Sequence, residues 1–355
     1  MTKTVIRGFL RLVCVLLLVQ STVALDGPAE ASCGSASCFV VIGSQQQVSP
    51  AGVFTVNLMY TYTPNEIPPT GANTIPYANQ QKQQLILANS KVSQLSTLIE
   101  TATLDLNYGL TERIGLEVMV PYKIVKAVGQ IGAGAVSHTN DRGIGDVLAK
   151  VKYNMLPTLR SMIVLEMGVY FPTGDYGNEP VPNQLAESTL QVGRGTFGLQ
   201  PGFYQTYEVL PHRLNQFLSG SWRYTLRNSD GYRFGQEYTL NAGVNFVAWP
   251  WLTFTEQINF RYKTRDNLEA ALYEFKDAPI NRAVLLDGNI VGRPVPTTNS
   301  TYMAFSTGVV VNVWEYGQMY FIAQLPIYRD FNGNLQQATS YVFGMSKSFA
   351  TPSLF

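Results

Sequence analysis

The sequence predicts an all-β, transmembrane, antiparallel up-and-down β-barrel of about 12 strands. Three observations carry that prediction. After residue 50, apolar and polar residues alternate with a period of two through most of the chain. Charge is scarce at 14%, below the roughly 25% of ordinary soluble domains. Beyond the N-terminus, however, no run reaches the roughly 18 apolar residues that a spanning helix needs. Aromatics are plentiful, with 20 Tyr and 18 Phe, as lipid-facing strands and interfacial girdles require. A net charge of +1, from 25 Lys and Arg against 24 Asp and Glu, fits neither a disordered chain nor a nucleic-acid binder, so no nucleic acid is expected as a partner.

The chain opens with Lys3, Arg7 and Arg11, continues with the apolar stretch Leu12 to Val19, and reaches small residues ending at Ala24. That order reads as a secretory signal peptide over residues 1–24, its apolar core too short to span a membrane. Residues 25–52 then form a periplasmic N-terminal segment and residues 53–355 the barrel. Cys14 leaves with the signal peptide. Cys33 and Cys38 remain, four small residues apart in an exported chain, and are expected to form a disulfide. Two thiolates without a nearby His or second Cys pair do not complete a structural zinc site.

From Phe54 the first strand sets Phe54, Val56, Leu58, Tyr60 and Tyr62 against Thr55, Asn57, Met59, Thr61 and Thr63. The second sets Leu104, Leu106 and Tyr108 against Thr103, Asp105 and Asn107. After the tight turn Thr111-Glu112-Arg113, the third sets Leu116, Val118, Val120 and Tyr122 against Glu117, Met119 and Lys123. The split recurs at Val147, Val151 and Tyr153 against Asp146, Lys150 and Lys152, and at Leu165, Met167 and Val169 against Glu166 and Tyr170. Phe197, Leu199 and Phe203 oppose Arg194 and Gln200; Trp222 and Tyr224 oppose Ser221 and Arg223. One uninterrupted strand is expected from Tyr232 to Phe246, with Glu237 on its polar face. Leu252 to Lys263, carrying Arg261 and Lys263, then Tyr302 to Val313, Met319 to Tyr328 and Thr339 to Phe349 complete twelve. Glu256 breaks the pattern between Phe254 and Ile258, which suggests a bulge or a local register error.

Connection lengths test the count independently. Five short turns fall near Thr111, Leu156, His212, Pro250 and Trp314; six other connections include the long ones Pro64 to Gln94, Gly174 to Ala186 and Thr264 to Pro296. Twelve strands with both ends in the periplasm require five inner turns and six outer loops. Alternation alone also fits a soluble sandwich. Aromatic placement argues against one: Trp249, Trp251 and Trp314 flank short turns, where interfacial aromatics belong, and the last strand carries Tyr341, Phe343 and Phe349. An aromatic C-terminal strand is characteristic of chains handled by the outer-membrane assembly machinery, which is therefore an expected partner together with the outer-membrane lipid bilayer.

Leu104 to Arg113, Val120-Pro-Tyr122, Gly143-Ile-Gly-Asp146 with Lys152-Tyr153, and Phe171-Pro-Thr-Gly-Asp175 occur in the order of, and are similar to, motifs of the "MetA-pathway of phenol degradation" outer-membrane family. They cover roughly residues 100 to 175; the C-terminal half resembles the family only in strand rhythm. The resemblance implies a transporter-like barrel linked by name to phenolic or other aromatic compounds. It does not specify a substrate, because fold does not fix function.

If the apolar faces meet lipid, twelve charged residues line the pore: Asp105, Glu117, Asp146, Glu166 and Glu237 with Lys123, Lys150, Lys152, Arg194, Arg223, Arg261 and Lys263. Charges in a membrane protein face water or one another, so a salt-bridged hydrated interior and a cation-lined constriction favouring anions both fit. Twelve strands imply a narrow pore. Catalysis is not expected. Only His138 and His212 exist, on an outer loop and an inner turn, and neither a Gly-x-Ser-x-Gly elbow nor a metal or phosphate motif is present, so no cofactor or metal is expected. The reading is an outer-membrane channel for passive uptake of small-molecule solutes, aromatic (phenolic) or other hydrophobic compounds among them. The alternative is a structural or adhesive barrel whose outer loops bind a partner.

Overall fold

The computed structural model describes residues 47–66, 92–131, 135–158, 160–176, 191–229, 231–268, 298–313, 317–331 and 335–351. The expectations for residues 1–24, for Cys33 and Cys38, and for Trp314 lie outside the described residues.

The described chain is built from strands β1 (Val53–Glu66), β2 (Val92–Gly109), β3 (Ile114–Ile131), β4 (Ala135–Ile144), β5 (Val147–Asn154), β6 (Ser161–Phe171), β7 (Gly198–Leu210) and β8 (Leu214–Thr225). They are followed by β9 (Tyr232–Arg233), β10 (Glu237–Trp249), β11 (Leu252–Lys263), β12 (Asn267–Leu268), β13 (Ser300–Asn312), β14 (Gln318–Asp330), β15 (Gln336–Gln337) and β16 (Ser340–Ala350). β1 pairs antiparallel with both β2 and β16, so the sheet closes on itself. β4 and β5 share one position in the wall: β5 pairs with the first part of β3 and β4 with the rest. With β9, β12 and β15 as short additions, the wall has twelve staves, as the alternation predicts.

Side chains split by face as a two-residue period dictates. Outward-facing Leu58, Leu104, Val118, Val151, Leu165, Met167, Phe246, Phe321 and Phe343 are exposed apolar residues, an apolar band of the kind that meets lipid in barrels. Trp249 and Trp251 stack at 5.9 Å on the short β10–β11 turn, and Trp222 stacks on Tyr238 at 6.4 Å. The short turns gather at one end, periplasmic in outer-membrane barrels. His212 adopts φ 58 in the β7–β8 turn there.

Several inward glycines are seats for neighbouring side chains. A Cβ on Gly344 would meet Tyr320 Oη at 2.3 Å, and one on Gly308 would meet Ile322 Cγ1 at 2.6 Å. Tyr320 and Ile322 thus lie flat along the wall, packed with Val310, Met59 and Val342.

Three expectations are corrected. β3 does not end near Lys123 but runs to Ile131 and returns as β4. The inner face there carries Val125 and Ala127, both buried, while the outer face carries the exposed Lys126, so the pattern that marks the first part of the strand is lost. The strand expected from Tyr232 to Phe246 is broken: β9 pairs with β12, and β10 starts at Glu237. The bond from Gly235 N to Asp266 Oδ1 at 2.6 Å replaces wall pairing at the break. No bulge occurs at Glu256, which pairs in unbroken register with Val244 and Thr307, whereas the shift in that hairpin lies between Val247 and Trp249. Glu256 therefore faces outward, held by a 2.7 Å bond from Thr307 Oγ1.

Candidate functional site in the barrel interior

The antiparallel register of β3, β5 and β6 sets Glu117 opposite Lys150, and Lys152 opposite Glu166. Opposite charges in facing positions, both directed inward, build an ion-pair cluster. Glu117 Oε2 lies 2.8 Å from Lys152 Nζ and 3.3 Å from Lys150 Nζ, and Lys150 reaches Glu166 at 3.4 Å. Asp105 sits beside them, accepting from Asn107 Nδ2 at 2.8 Å and from Asn57 Nδ2 at 3.5 Å. Lys152 also donates to Asn107 Oδ1 at 2.9 Å. Every charged member of this inner cluster is buried.

The chain just before β1 takes part in the same region. Gln47 O accepts from Lys152 Nζ at 3.5 Å, and Val48 packs with Val164, Tyr204, Phe217 and Met162 on the inner face of the wall. Gly109 makes room for it: a Cβ there would stand 2.0 Å from Pro50 O and 2.3 Å from Ser49 O. The last residues of the segment expected to be periplasmic are thus seated in the short-turn mouth. Glycine at position 109 is the signal the sequence held, legible only once the approach of the segment is known.

A second cluster lies toward the long-loop end. Between β6 and β7, residues 191–196 turn inward, where Val192 is fully buried. Bonds to charged interior residues hold this segment, among them Val192 N to Asp141 Oδ2 at 3.1 Å, Lys123 Nζ to Val192 O at 2.9 Å, and Arg194 N to Asp146 Oδ2 at 3.0 Å. Asp146 Oδ1 accepts from Gly174 N at 3.3 Å, so both carboxylate oxygens fix backbone. Arg194 then reaches Glu237 Oε2 at 3.1 Å and Thr225 Oγ1 at 3.1 Å. Arg223 stands 4.0 Å from the same Glu237 oxygen and lies over the Tyr170 ring at 3.6 Å. Arg261 bonds Gln337 Oε1 at 2.9 Å over Tyr302, and Lys263 pairs with Asp266 at 3.0 Å.

All twelve charged residues named from the sequence therefore point inward, but they divide into two groups. Asp105, Glu117, Lys150, Lys152 and Glu166 form the inner one. Lys123, Asp146, Arg194, Arg223, Glu237, Arg261 and Lys263 form the outer one. Asp266, Tyr170, Tyr302 and the buried Arg329 belong to this interior as well; Asp266 and Arg329 stand at strand ends, where alternation lapses. Between charged groups the wall is polar: Ser219, Asn241, Asn259 and Ser306 form one hydrogen-bonded row across β8, β10, β11 and β13. His138 in β4 and His212 in a short turn stand at opposite ends of the barrel.

The family model described as "Putative MetA-pathway of phenol degradation" matches residues 78–277. Among solved structures, an outer membrane channel from Pseudomonas putida F1 is similar at a TM-score of 0.60 and 11% identity, covering 88% of this chain and 100% of that one. At that identity the likeness concerns the fold. The KdgM porin (TM-score 0.42, 8% identity, 83% and 99% covered) and the NanC porin (0.40, 11%, 82% and 98%) are more distant. No curated protein matches the chain.

Proposed function

Because the chain belongs to the family described as "Putative MetA-pathway of phenol degradation", we propose that it is an outer-membrane channel for passive entry of small molecules, aromatic and other hydrophobic compounds among them. One observation supports this most: the closed wall is apolar outside, whereas twelve charged side chains and rows of Asn, Ser and Thr face its interior. Charge is tolerated inside a membrane protein where it meets water or an opposite charge, and a lumen provides both. In this reading the twelve charged residues line the solute path. The outer cluster forms its accessible part and the inner cluster its floor, narrowed by Gln47 and Val48. The protein reaches the outer membrane behind a cleaved signal peptide, is inserted by the assembly machinery, and conducts without catalysing a reaction.

The test is single-channel conductance of the refolded protein in a planar bilayer, with benzoate and phenol as blockers. Steady conductance reduced by an aromatic supports the reading. A correctly folded barrel that never conducts, under any applied voltage, overturns it.

A further inference from the structure

Resting on the channel reading, we propose that the outer half of the lumen is a binding site for small carboxylate anions, built by Lys123, Arg194 and Arg223 around Glu237. The charge balance of the two clusters is the starting point. The inner cluster has three carboxylates for two lysines, and its ion-paired side chains are sealed, with Glu117 0% and Lys152 1% exposed. The outer one has six cations, Lys123, Arg194, Arg223, Arg261, Lys263 and the buried Arg329, for the four carboxylates Asp141, Asp146, Glu237 and Asp266. Its side chains stay open to the lumen: Arg194 is 18%, Arg223 19% and Glu237 22% exposed. An anion entering from the long-loop end meets the positive, accessible cluster first.

The carboxylates present leave donors to spare. Asp141 accepts from Val192 N, both oxygens of Asp146 are taken by backbone N–H groups, and Asp266 is occupied by Lys263, Tyr232 Oη and Gly235 N. Glu237 serves two cations through a single oxygen, Arg194 at 3.1 Å and Arg223 only at the 4.0 Å limit. The buried Nε of Arg223 has no hydrogen-bond partner among the described residues, and the Lys123 ammonium bonds a carbonyl, with no described carboxylate within 4.0 Å.

Geometry selects the ligand. Tyr170 covers one face of the Arg223 guanidinium at 3.6 Å and is itself fixed by a 2.6 Å bond to Gln200 Oε1. Stacking leaves the guanidinium edge as its donor surface, and a planar fork of N–H groups matches a planar carboxylate. Lys123 adds a point charge. The anion competes with Glu237 for these groups, so Glu237 sets how weakly it is held and lets it leave, as passage through a pore requires.

The test has two arms. Under a KCl gradient in a planar bilayer, the reversal potential should show chloride preferred over potassium, and Lys123→Gln with Arg223→Gln should abolish the preference. Separately, benzoate and acetate binding to the protein in detergent should be read by calorimetry, with inorganic phosphate and phenol for comparison. Arg223→Gln should weaken benzoate by about tenfold, the loss of one charge-assisted contact, and Glu237→Gln should strengthen it. Arg223→Lys, which keeps charge but not the fork, should fall between. Benzoate binding unchanged in both variants, phosphate or phenol bound as well as benzoate, or a cation-preferring pore would each overturn the proposal. A pore that conducts without anion preference fails this inference and leaves the channel reading standing. Arg223-dependent benzoate binding by a barrel that never conducts fails the channel reading and leaves the site.

Discussion

Replacing Glu117 by Gln removes one charge from the sealed inner cluster while keeping the side chain's shape. Glu117 is 2.8 Å from Lys152 and 3.3 Å from Lys150, with no exposed surface of its own. Breaking a buried ion pair typically costs about 3–5 kcal/mol, because the partner's charge stays out of water without compensation. Two features place this substitution at the low end. Lys150 keeps Glu166 at 3.4 Å and Lys152 keeps Asn107 Oδ1 at 2.9 Å. The cluster also passes from three carboxylates and two lysines to an even balance. The expected loss is about 3 kcal/mol. Lys152→Met does the reverse, leaving Asp105, Glu117 and Glu166 with a single ammonium, and should cost about 5 kcal/mol. The double variant should lose less than the two single losses combined, because each removes the charge the other strands. Urea unfolding in detergent micelles, followed by tryptophan fluorescence, measures all three. The reasoning fails if Glu117→Gln costs more than Lys152→Met, or if it costs less than about 1 kcal/mol.

Three other predictions follow from the wall. Gly344→Ala places a Cβ where the Tyr320 phenol lies and breaks its 2.9 Å bond to Asn57, so thermal unfolding in micelles should reveal a loss of about 1–3 kcal/mol; an unchanged midpoint would show that the ring is not confined there. Glu256→Leu combined with Thr307→Val replaces an outward polar pair within the apolar band and should stabilise the barrel by about 1 kcal/mol or more in lipid vesicles, whereas a loss would mean the pair meets something other than lipid. Gly109→Val leaves no room for Pro50 O and should drive Gln47 and Val48 from the lumen. Single-channel conductance should rise, and equal conductance would show that the segment does not limit flow.

Most of the wall was legible because one face meets an apolar medium and the other a polar one, and alternation reports that contrast. Phe54 to Tyr62, Leu116 to Tyr122 and Leu252 to Lys263 fall on the faces the pattern assigns them. Legibility failed where the contrast failed. Val125 and Ala127 are buried on the inner face, while Lys126 stands on the outer face paired with Glu100, so the pattern reverses in the outer part of β3. Glu256 looked like a register error because a carboxylate on the outer face contradicts the rule, although its backbone pairing is regular. The charged interior residues could be named from strand phase alone. Their division into two clusters depends on which strands are neighbours and on the register between them, which sets Arg223 opposite Glu237 and is not written in either strand alone.

The position of Val48 also bears on how the barrel is made. It precedes β1, the strand whose free edge is closed by β16 through ten residue pairs, yet it packs against Val164, Tyr204 and Phe217, more than a hundred positions away. Those contacts require a wall already curved through β6, β7 and β8, and long-range contacts of this kind form late because the intervening chain must first be ordered. The segment must then lie on the concave side before the seam zips, or thread back through the mouth afterwards. A label at Val48 would therefore time the final stage of assembly, reporting when an open curved sheet becomes a sealed cylinder.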